Sequence, residues 1–380
     1  MRVARVAADQ IRSLSGVELE PANGLTVIIG PNGAGKTNLV EAIYFGLTAR
    51  SFRTADRRDL IPFGASWARS RVDVVSGEED GRSDSGVTHS FMSAIDRSEG
   101  TRYTMDGAAI DRSEAANHRP AVTVFSPDRL ELVKGPPAGR RSHVDSFVAA
   151  RWPRKAGLRR EYGRALAQRN ALLGRLREGG GDRSQLATWD RQVSITGTAL
   201  AASRSEAVAE ISAPWSSAAG ELGLEGDSRI LYRPGASLEP EEFMTGLASR
   251  IDADLRMGRT TWGPHHDEIR LEFNGRQLRR FGSQGQQRIG LLSLLFAERE
   301  SLLASGRPSP LMLLDDVMSE LDESRRDRLV DRLLEGGQTV ITAAEGELIP
   351  DRPGLSRIRI RDLTGSPEPE ESKAPEESDA

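Results

Sequence analysis

Leu25-Thr-Val-Ile-Ile-Gly30-Pro31-Asn32-Gly33-Ala34-Gly35-Lys36-Thr37-Asn-Leu-Val-Glu-Ala-Ile-Tyr44 is the stretch whose reading decides the fold. The apolar run Leu25 to Ile29 reads as a buried strand, and Leu39, Val40, Ile43, Tyr44 and Leu47 recur at helical spacing. Between them, Gly30 to Thr37 follows the phosphate-loop pattern of Gly, four residues, then Gly-Lys-Thr. Gly30, Gly33 and Gly35 let the backbone wrap an anion where a Cβ would collide. The N–H groups that open the next helix then point at phosphate oxygens. Lys36 supplies a point charge for the β- and γ-phosphates, and the Thr37 hydroxyl is placed to ligate Mg²⁺. The strand-loop-helix context makes a nucleotide site, for ATP with Mg²⁺, the expected reading over a Gly-rich turn with a surface lysine.

The 380 residues suffice for two domains with cores of their own. No apolar run approaches the roughly 20 residues needed to span a bilayer, so no membrane partner is expected. Cysteine is absent, which excludes disulfides and thiolate metal sites and fits a cytoplasmic home. The net charge of −4 conceals an asymmetry: Thr364 to Ala380 carries six acids and one lysine, leaving the body near +1. Basic residues are almost all arginine, and the lone lysine of the first 133 residues is Lys36.

Working outward, Val3 to Ala8 and Gly16 to Glu20 read as strands. The loop Ala49-Arg-Ser-Phe-Arg53-Thr54 follows the phosphate-loop helix and brings an arginine toward the nucleotide. Residues 69 to 125 read as β-rich, with a hairpin signal at Asp106-Gly107 and an acidic Gly/Ser hairpin tip over Gly77 to Gly86. From about Pro136 the pattern turns helical. Two stripes, from Val144 to Leu173 and from Leu186 to Ile211, are joined at Gly179-Gly-Gly181 and read as an antiparallel helical hairpin. A further helix is expected over Glu241 to Met257, stopped by Gly258. Asn274-Gly275 signals a hairpin, and Leu311 to Leu314, Thr339 to Thr342 and Arg357 to Ile360 read as strands of a parallel sheet. These elements define an α/β fold: a P-loop ATPase head in two parts, 1–135 and 258–363, with a helical second domain inserted over 136–257. The Pro/Glu/Ser-rich tail, 364–380, reads as disordered.

Pro310-Leu-Met-Leu-Leu-Asp315-Asp316 is an apolar strand ending in two carboxylates. With the phosphate loop it reads as the second half of the site, Asp315 holding Mg²⁺ and Asp316 orienting or deprotonating the attacking water. Phe281-Gly-Ser283-Gln284-Gly285-Gln286 opens an apolar helix. It is either an ordinary N-cap or a second anion-facing turn. One chain with two such turns suggests an ATP-dependent homodimer in which each Ser283 turn caps the other copy's nucleotide.

These residues resemble ABC-type ATPases of the SMC kind. Narrower features resemble the RecF family of bacterial recombinational repair proteins: Gly33-x-Gly-Lys-Thr-Asn-Leu-x-Glu-Ala-Ile, Ser51-Phe-Arg-Thr54, Phe125-Ser-Pro-Asp-x-Leu, Lys134-Gly-x-Pro with Arg140-Arg141, Gln168-Arg-Asn-Ala-Leu-Leu173 and Gly263-Pro-His. The resemblance spans residues 1 to about 345. It implies an ABC-type head, a signature turn at Ser283 to Gln286, and a D-loop at Ser319 and Asp322. It also implies a DNA-binding protein of repair and replication that uses weak ATP hydrolysis as a switch. Such a protein works with RecO and RecR to load recombinase at gaps and supports the SOS response. Three departures stand out. His266 replaces the usual arginine of Gly-Pro-His-Arg, no glutamine lies between Gln10 and Gln168, and no histidine follows Thr342. The two absences point toward weak catalysis.

Residues 128 to 178 hold thirteen Arg/Lys against five Asp/Glu. Arg140, Arg141, Arg151, Arg154, Lys155, Arg159 and Arg160 form the dense part, a track for a DNA backbone without sequence preference, single-stranded, gapped or double-stranded. The alternative is a solvated helix face. Two rival functions are an energy-coupling nucleotide-binding subunit of a transporter and an SMC-like scaffold that never hydrolyses ATP.

Overall fold

The structure is a computed structural model, and it describes residues 1–76, 87–319 and 321–364. The expected hairpin tip at Gly77 to Gly86 and the acidic tail beyond Thr364 lie outside the described residues. The chain folds as two compact units. The first takes residues 1–124, 311–319 and 333 onward; the second takes 125–310 and 320–332. Residues 258–310, grouped with the head in the sequence reading, thus pack within the second unit.

The first unit is built on two sheets. One is parallel over Leu355–Arg359, Leu25–Ile29, Thr339–Ala343 and Leu311–Leu314, in that order, with Val122–Phe125 at its edge. The other is antiparallel, in the order Val17–Leu19, Arg2–Asp9, Trp67–Ser76, Val87–Asp96, Gly100–Met105, Ala108–Ala109. Asp106 and Gly107 turn its last hairpin with φ of 52° and 83°, the paired positive angles a two-residue hairpin loop demands. The helix Lys36–Thr48 is buried on almost every side: ten of its thirteen residues are out of water. Gly46 explains how close it comes to the antiparallel sheet, because a Cβ there would stand 2.5 Å from Val72 Cγ2 and 2.7 Å from Ser70 Oγ. Strand hydroxyls exploit that approach. Ser70 donates to the Ala42 carbonyl at 2.7 Å and Ser93 to the Gly46 carbonyl at 3.2 Å. Gln338 ties the first strand to the rest of this unit, since its side chain exchanges hydrogen bonds with the Val3 backbone in both directions and donates to Ala22 O.

The second unit is mainly helical. Pro137–Arg151, Leu158–Arg177 and the 36-residue Leu186–Glu221 form its frame, with Gln284–Ala304 against the last of these. A three-stranded antiparallel sheet of Arg276–Gln277, Glu268–Phe273 and Ser228–Arg233 completes it. The strand Ser228–Arg233 has no counterpart in the sequence reading. The expected helix over Glu241 to Met257 is two helices, Pro240–Ser249 and Ile251–Met257, broken at Arg250 with φ −104° and ψ 5°. There the guanidinium lies 4.3 Å over the Trp262 ring. Gly258 stops the second helix in the left-handed region, as its position predicts.

Arg169 is fully buried and holds this unit together. It donates to Asp190 and Asp254, both at 2.6 Å, and to Thr260 Oγ1 at 2.8 Å. Its neighbour Asn170 accepts from the Thr260 backbone N–H and hydroxyl. Removing one partner from a buried ion network strands the others, at roughly 3–5 kcal/mol. Arg169→Leu is therefore expected to lower unfolding free energy by about that amount in urea titration, whereas a change below about 1 kcal/mol would show that the network is dispensable.

Candidate functional site

The parallel sheet lines up the ends of Leu25–Ile29, Leu311–Leu314 and Thr339–Ala343 on one edge, because Ile29 pairs with Ala343 and Leu314 with Ile341. The phosphate loop leaves the first of these ends. Gly33 and Gly35 sit at φ 84° and 95°, and a Cβ on Gly35 would lie 3.1 Å from Leu14 Cδ2 and 3.2 Å from Ser13 Oγ. Lys36 curls back along the loop and donates to the carbonyls of Gly30 at 2.6 Å and Pro31 at 2.9 Å. Burial lowers its pKa, opposed by Asp316 and Asp315.

Thr37 and Asp315 meet, as the sequence reading requires. The hydroxyl lies 3.0 and 2.8 Å from the two carboxylate oxygens. Thr342, from the neighbouring strand, donates to Asp315 Oδ1 at 2.8 Å and accepts from the Asp316 N–H at 2.9 Å. Asp315 is 4% exposed, and burial raises its pKa against the pull of the Thr342 and Thr37 hydrogen bonds. Asp316 adopts a left-handed backbone, φ 48°, which carries its side chain off the strand direction. A cleft of about 250 Å³ results, walled by Asn32, Lys36, Thr37, Arg53, Asp315 and Asp316. Among the described residues no cluster of three or more His, Asp or Glu could hold a metal. The donor set still suits Mg²⁺, which takes one or two hard oxygens from protein and the rest from phosphates and water. Thr37 and Asp315 are those oxygens.

Arg53 reaches the cleft wall, and the residue that aims it is one that sequence reasoning passed over. Glu41, 0% exposed in the phosphate-loop helix, receives Arg53 Nη1 at 3.3 Å and a two-pronged contact from Arg12 at 3.1 and 3.2 Å. Arg53 also donates to Asn38 Oδ1 at 3.1 Å. An acid within the apolar run Leu39 to Leu47 was the available signal, since buried carboxylates need partners.

Ser283 forms a complete capping box: its hydroxyl accepts from the Gln286 N–H at 3.2 Å, and its own N–H donates to Gln286 Oε1 at 2.9 Å. Ser283 and Gln284 are exposed. Ser319 donates to the Asp316 carbonyl at 3.3 Å. Asp322 accepts from the Arg325 N–H at 2.9 Å at the start of Glu323–Leu334.

The basic track divides. Arg140 is 4% exposed and bonds to Glu268 and to the carbonyls of Leu132, Val133 and Gly135, so its donors are committed to the fold. Arg141 donates to the Asp267 carbonyl at 2.9 Å. Arg151 pairs with Glu210 and Lys155 with Glu206. Arg159 is exposed and lies 3.7 Å from Asp145. Arg154 and Arg160 are exposed without an acidic partner among the described residues.

Gly263 and Pro264 are likewise buried and His265 half-buried, while His266 is exposed. Tyr162 OH stands 2.6 Å from His265 Nδ1, and His265 Nε2 3.1 Å from the Thr260 carbonyl. The carbonyl requires a proton on Nε2, and in the neutral ring Nδ1 then accepts from the Tyr162 hydroxyl. Arg204 clamps Asp267 at 2.8 Å and Asp145 at 2.7 Å.

Comparison with known proteins agrees with this architecture. The model of the RecF/RecN/SMC N-terminal domain family matches residues 2–362. A DNA replication and repair protein RecF from Anaeromyxobacter sp. (strain Fw109-5) is 37% identical over 93% of this chain and 95% of its own length. One from Moorella thermoacetica is 32% identical over 93% of each chain. Among solved structures, the recombination mediator protein RecF-ATPrS in the RecFOR pathway superposes with a TM-score of 0.78 at 26% identity, covering 94% of this chain and 96% of that one. An Smc head bound to the C-winged helix domain of ScpA shares the fold at a TM-score of 0.55 and 17% identity. The chain belongs to the RecF/RecN/SMC family of ATPase heads, and within it to the RecF proteins of DNA replication and repair. Among the described residues no helix is long and apolar enough to cross a membrane.

His265 gives a pH test. Burial lowers its pKa from 6.5 to about 4, helped by His266 and opposed by the Thr260 hydrogen bond. The unfolded chain therefore takes up the proton first as pH falls. This contribution to stability is complete above about 6.5 and is lost as pH falls toward 4. Thermal unfolding between those values should steepen in the wild type and flatten in His265→Gln; parallel pH profiles would contradict the assignment.

Proposed function

We propose that the protein is a RecF-type recombination mediator that binds ATP with Mg²⁺ at Gly30 to Thr37 and Asp315 and uses it to close a homodimer on DNA. One observation carries this reading: the Thr37 hydroxyl and a buried Asp315 meet beside a phosphate loop whose helix N-terminus and lysine face one cleft. The RecF-ATPrS and RecF-ATP structures, which share its fold over nine-tenths of its length, support ATP as the ligand.

Each residue has a task that its position fits. The N–H groups from Gly33 to Thr37 receive phosphate oxygens, and Lys36 exchanges its loop carbonyls for the β- and γ-phosphates. Bound Mg²⁺ supplies charge neutralisation at the phosphates. Asp316 orients the attacking water. The Ser283 to Gln286 turn of a second copy completes the cleft, with Ser319 and Asp322 at the same junction. The wall contains no glutamine among the described residues, in keeping with slow hydrolysis that serves as a switch. DNA is held through its backbone by Arg141, Arg151, Arg154, Lys155, Arg159 and Arg160, without sequence preference. RecO and RecR are the partners the RecFOR pathway implies, and recombinase loading at gaps, SOS support and a cytoplasmic location follow from the same reading.

Lys36→Ala should abolish ATP-promoted dimerisation by light scattering and reduce ATP-stimulated DNA binding at least tenfold. Dimerisation by this variant with wild-type nucleotide dependence would refute the coupling. Asp315→Asn relieves a desolvated carboxylate, so its nucleotide-free thermal midpoint should equal or exceed that of wild type while the upward shift produced by ATP with Mg²⁺ disappears. A retained shift would remove Asp315 from the site.

A further inference from the structure

The basic track contains a feature that a solvated helix face does not explain. Where Pro137–Arg151 ends, Trp152 turns the chain into the short turn Pro153–Lys155. This corner faces the turn after Gln284–Ala304 across a cleft of about 580 Å³, lined by Arg151, Trp152, Arg154, Lys155, Gly306 and Arg307. The Arg151 guanidinium lies 4.9 Å and the Lys155 ammonium 4.5 Å from the Trp152 ring centroid. Glu210 and Glu206 anchor these two cations from the long helix. Arg154 and Arg307 are exposed and have no acidic partner among the described residues.

Four cations against two carboxylates leave a net +2. The ends of the two helices contribute only partial negative charge, and the Gln284–Ala304 end is already capped by the N–H groups of Ser305, Gly306 and Arg307. An anion therefore fits this cleft. Its size admits one or two nucleotides and no duplex. The aromatic component narrows the choice further. The indole already carries the Arg151 and Lys155 cations over its ring, and an unpaired base that takes the ammonium's place gains an aromatic contact worth about 1–3 kcal/mol. Bases inside a duplex expose no face to stack, and an acidic peptide would use the cations but not the rings.

We propose that this cleft holds an unpaired DNA strand, one base against the Trp152–Arg151 stack and adjacent phosphates on Arg154 and Arg307. The proposal rests on the DNA-binding reading above and gives one end of its basic track a single-strand subsite.

The test uses the full chain with ATP and two variants, Trp152→Leu and the exposed pair Arg154→Ala/Arg307→Ala. Binding of labelled oligothymidylate and of a duplex of equal length is measured across a salt series. Trp152→Leu should weaken oligothymidylate binding about 5- to 150-fold, the range that 1–3 kcal/mol spans. The arginine pair should lower the single-strand salt slope by about 1.4, from roughly 0.7 per phosphate contact. Duplex affinity should change less than twofold with Trp152→Leu. Unchanged oligothymidylate binding by both folded variants overturns the subsite and leaves the broader reading standing, as does an equal loss on duplex and single strand. Polyglutamate bound in the cleft in preference to oligothymidylate would assign it to an acidic protein and overturn the proposal too. A wild-type protein that binds neither DNA would defeat the DNA-binding reading itself.

Discussion

The site depends on one buried contact, the carboxylate of Asp315 gripped by the hydroxyls of Thr37 and Thr342. Each side chain comes from a different element: Thr37 from the phosphate-loop helix, Asp315 from just past one strand and Thr342 from the next. A desolvated carboxylate is costly unless donors surround it, so the contact fixes how the loop stands on the sheet. Parallel pairing in register brings the three strand ends to one edge, where open α/β sheets bind ligands. The rest of the unit serves that placement. Gly46 and the serines of the antiparallel sheet let the helix lie close, and Gly35 lets the loop turn into it.

Much of this was legible because it is local. The phosphate loop, the Asp106-Gly107 and Asn274-Gly275 turns and the Gly258 stop all follow from backbone preferences of a few consecutive residues. What escaped depends on distant partners. Ser228–Arg233 is a strand because Glu268–Phe273 pairs with it over six residues; its own pattern is short and arginine-flanked. At the break, Arg250 lies over Trp262, twelve residues further on. Gln338 and Glu41 are polar residues whose partners lie elsewhere in the sequence, Val3 and Ala22 for one, Arg12 and Arg53 for the other. The buried setting of Glu41 calls for a partner, but nothing local says which residue supplies it.

The motifs that carry the family resemblance divide by where their polar groups point. In the phosphate loop they face a cleft. Arg169, Asn170 and His265 instead turn into the fold, where they bond to Asp190, Asp254, Thr260 and Tyr162. Such residues are family marks because a buried polar network tolerates few substitutions, which is a requirement of the fold and not of chemistry. Arg140 belongs with them. The exposed cations Arg154, Arg160 and Arg307 sit in no named motif, yet they are the ones free to meet an anion.

The central claim is that ATP is gripped by unlike surfaces of two copies, the phosphate loop of one and the Ser283 turn of the other. The chain's lack of cysteine makes a direct measurement simple. Asn32→Cys and Ser283→Cys are placed on separate copies, mixed, and oxidised with and without ATP. The account predicts a crosslinked dimer that forms with ATP and not without it, and none when either cysteine is left out of the mixture. No crosslink in ATP, or one formed equally without nucleotide, would contradict it.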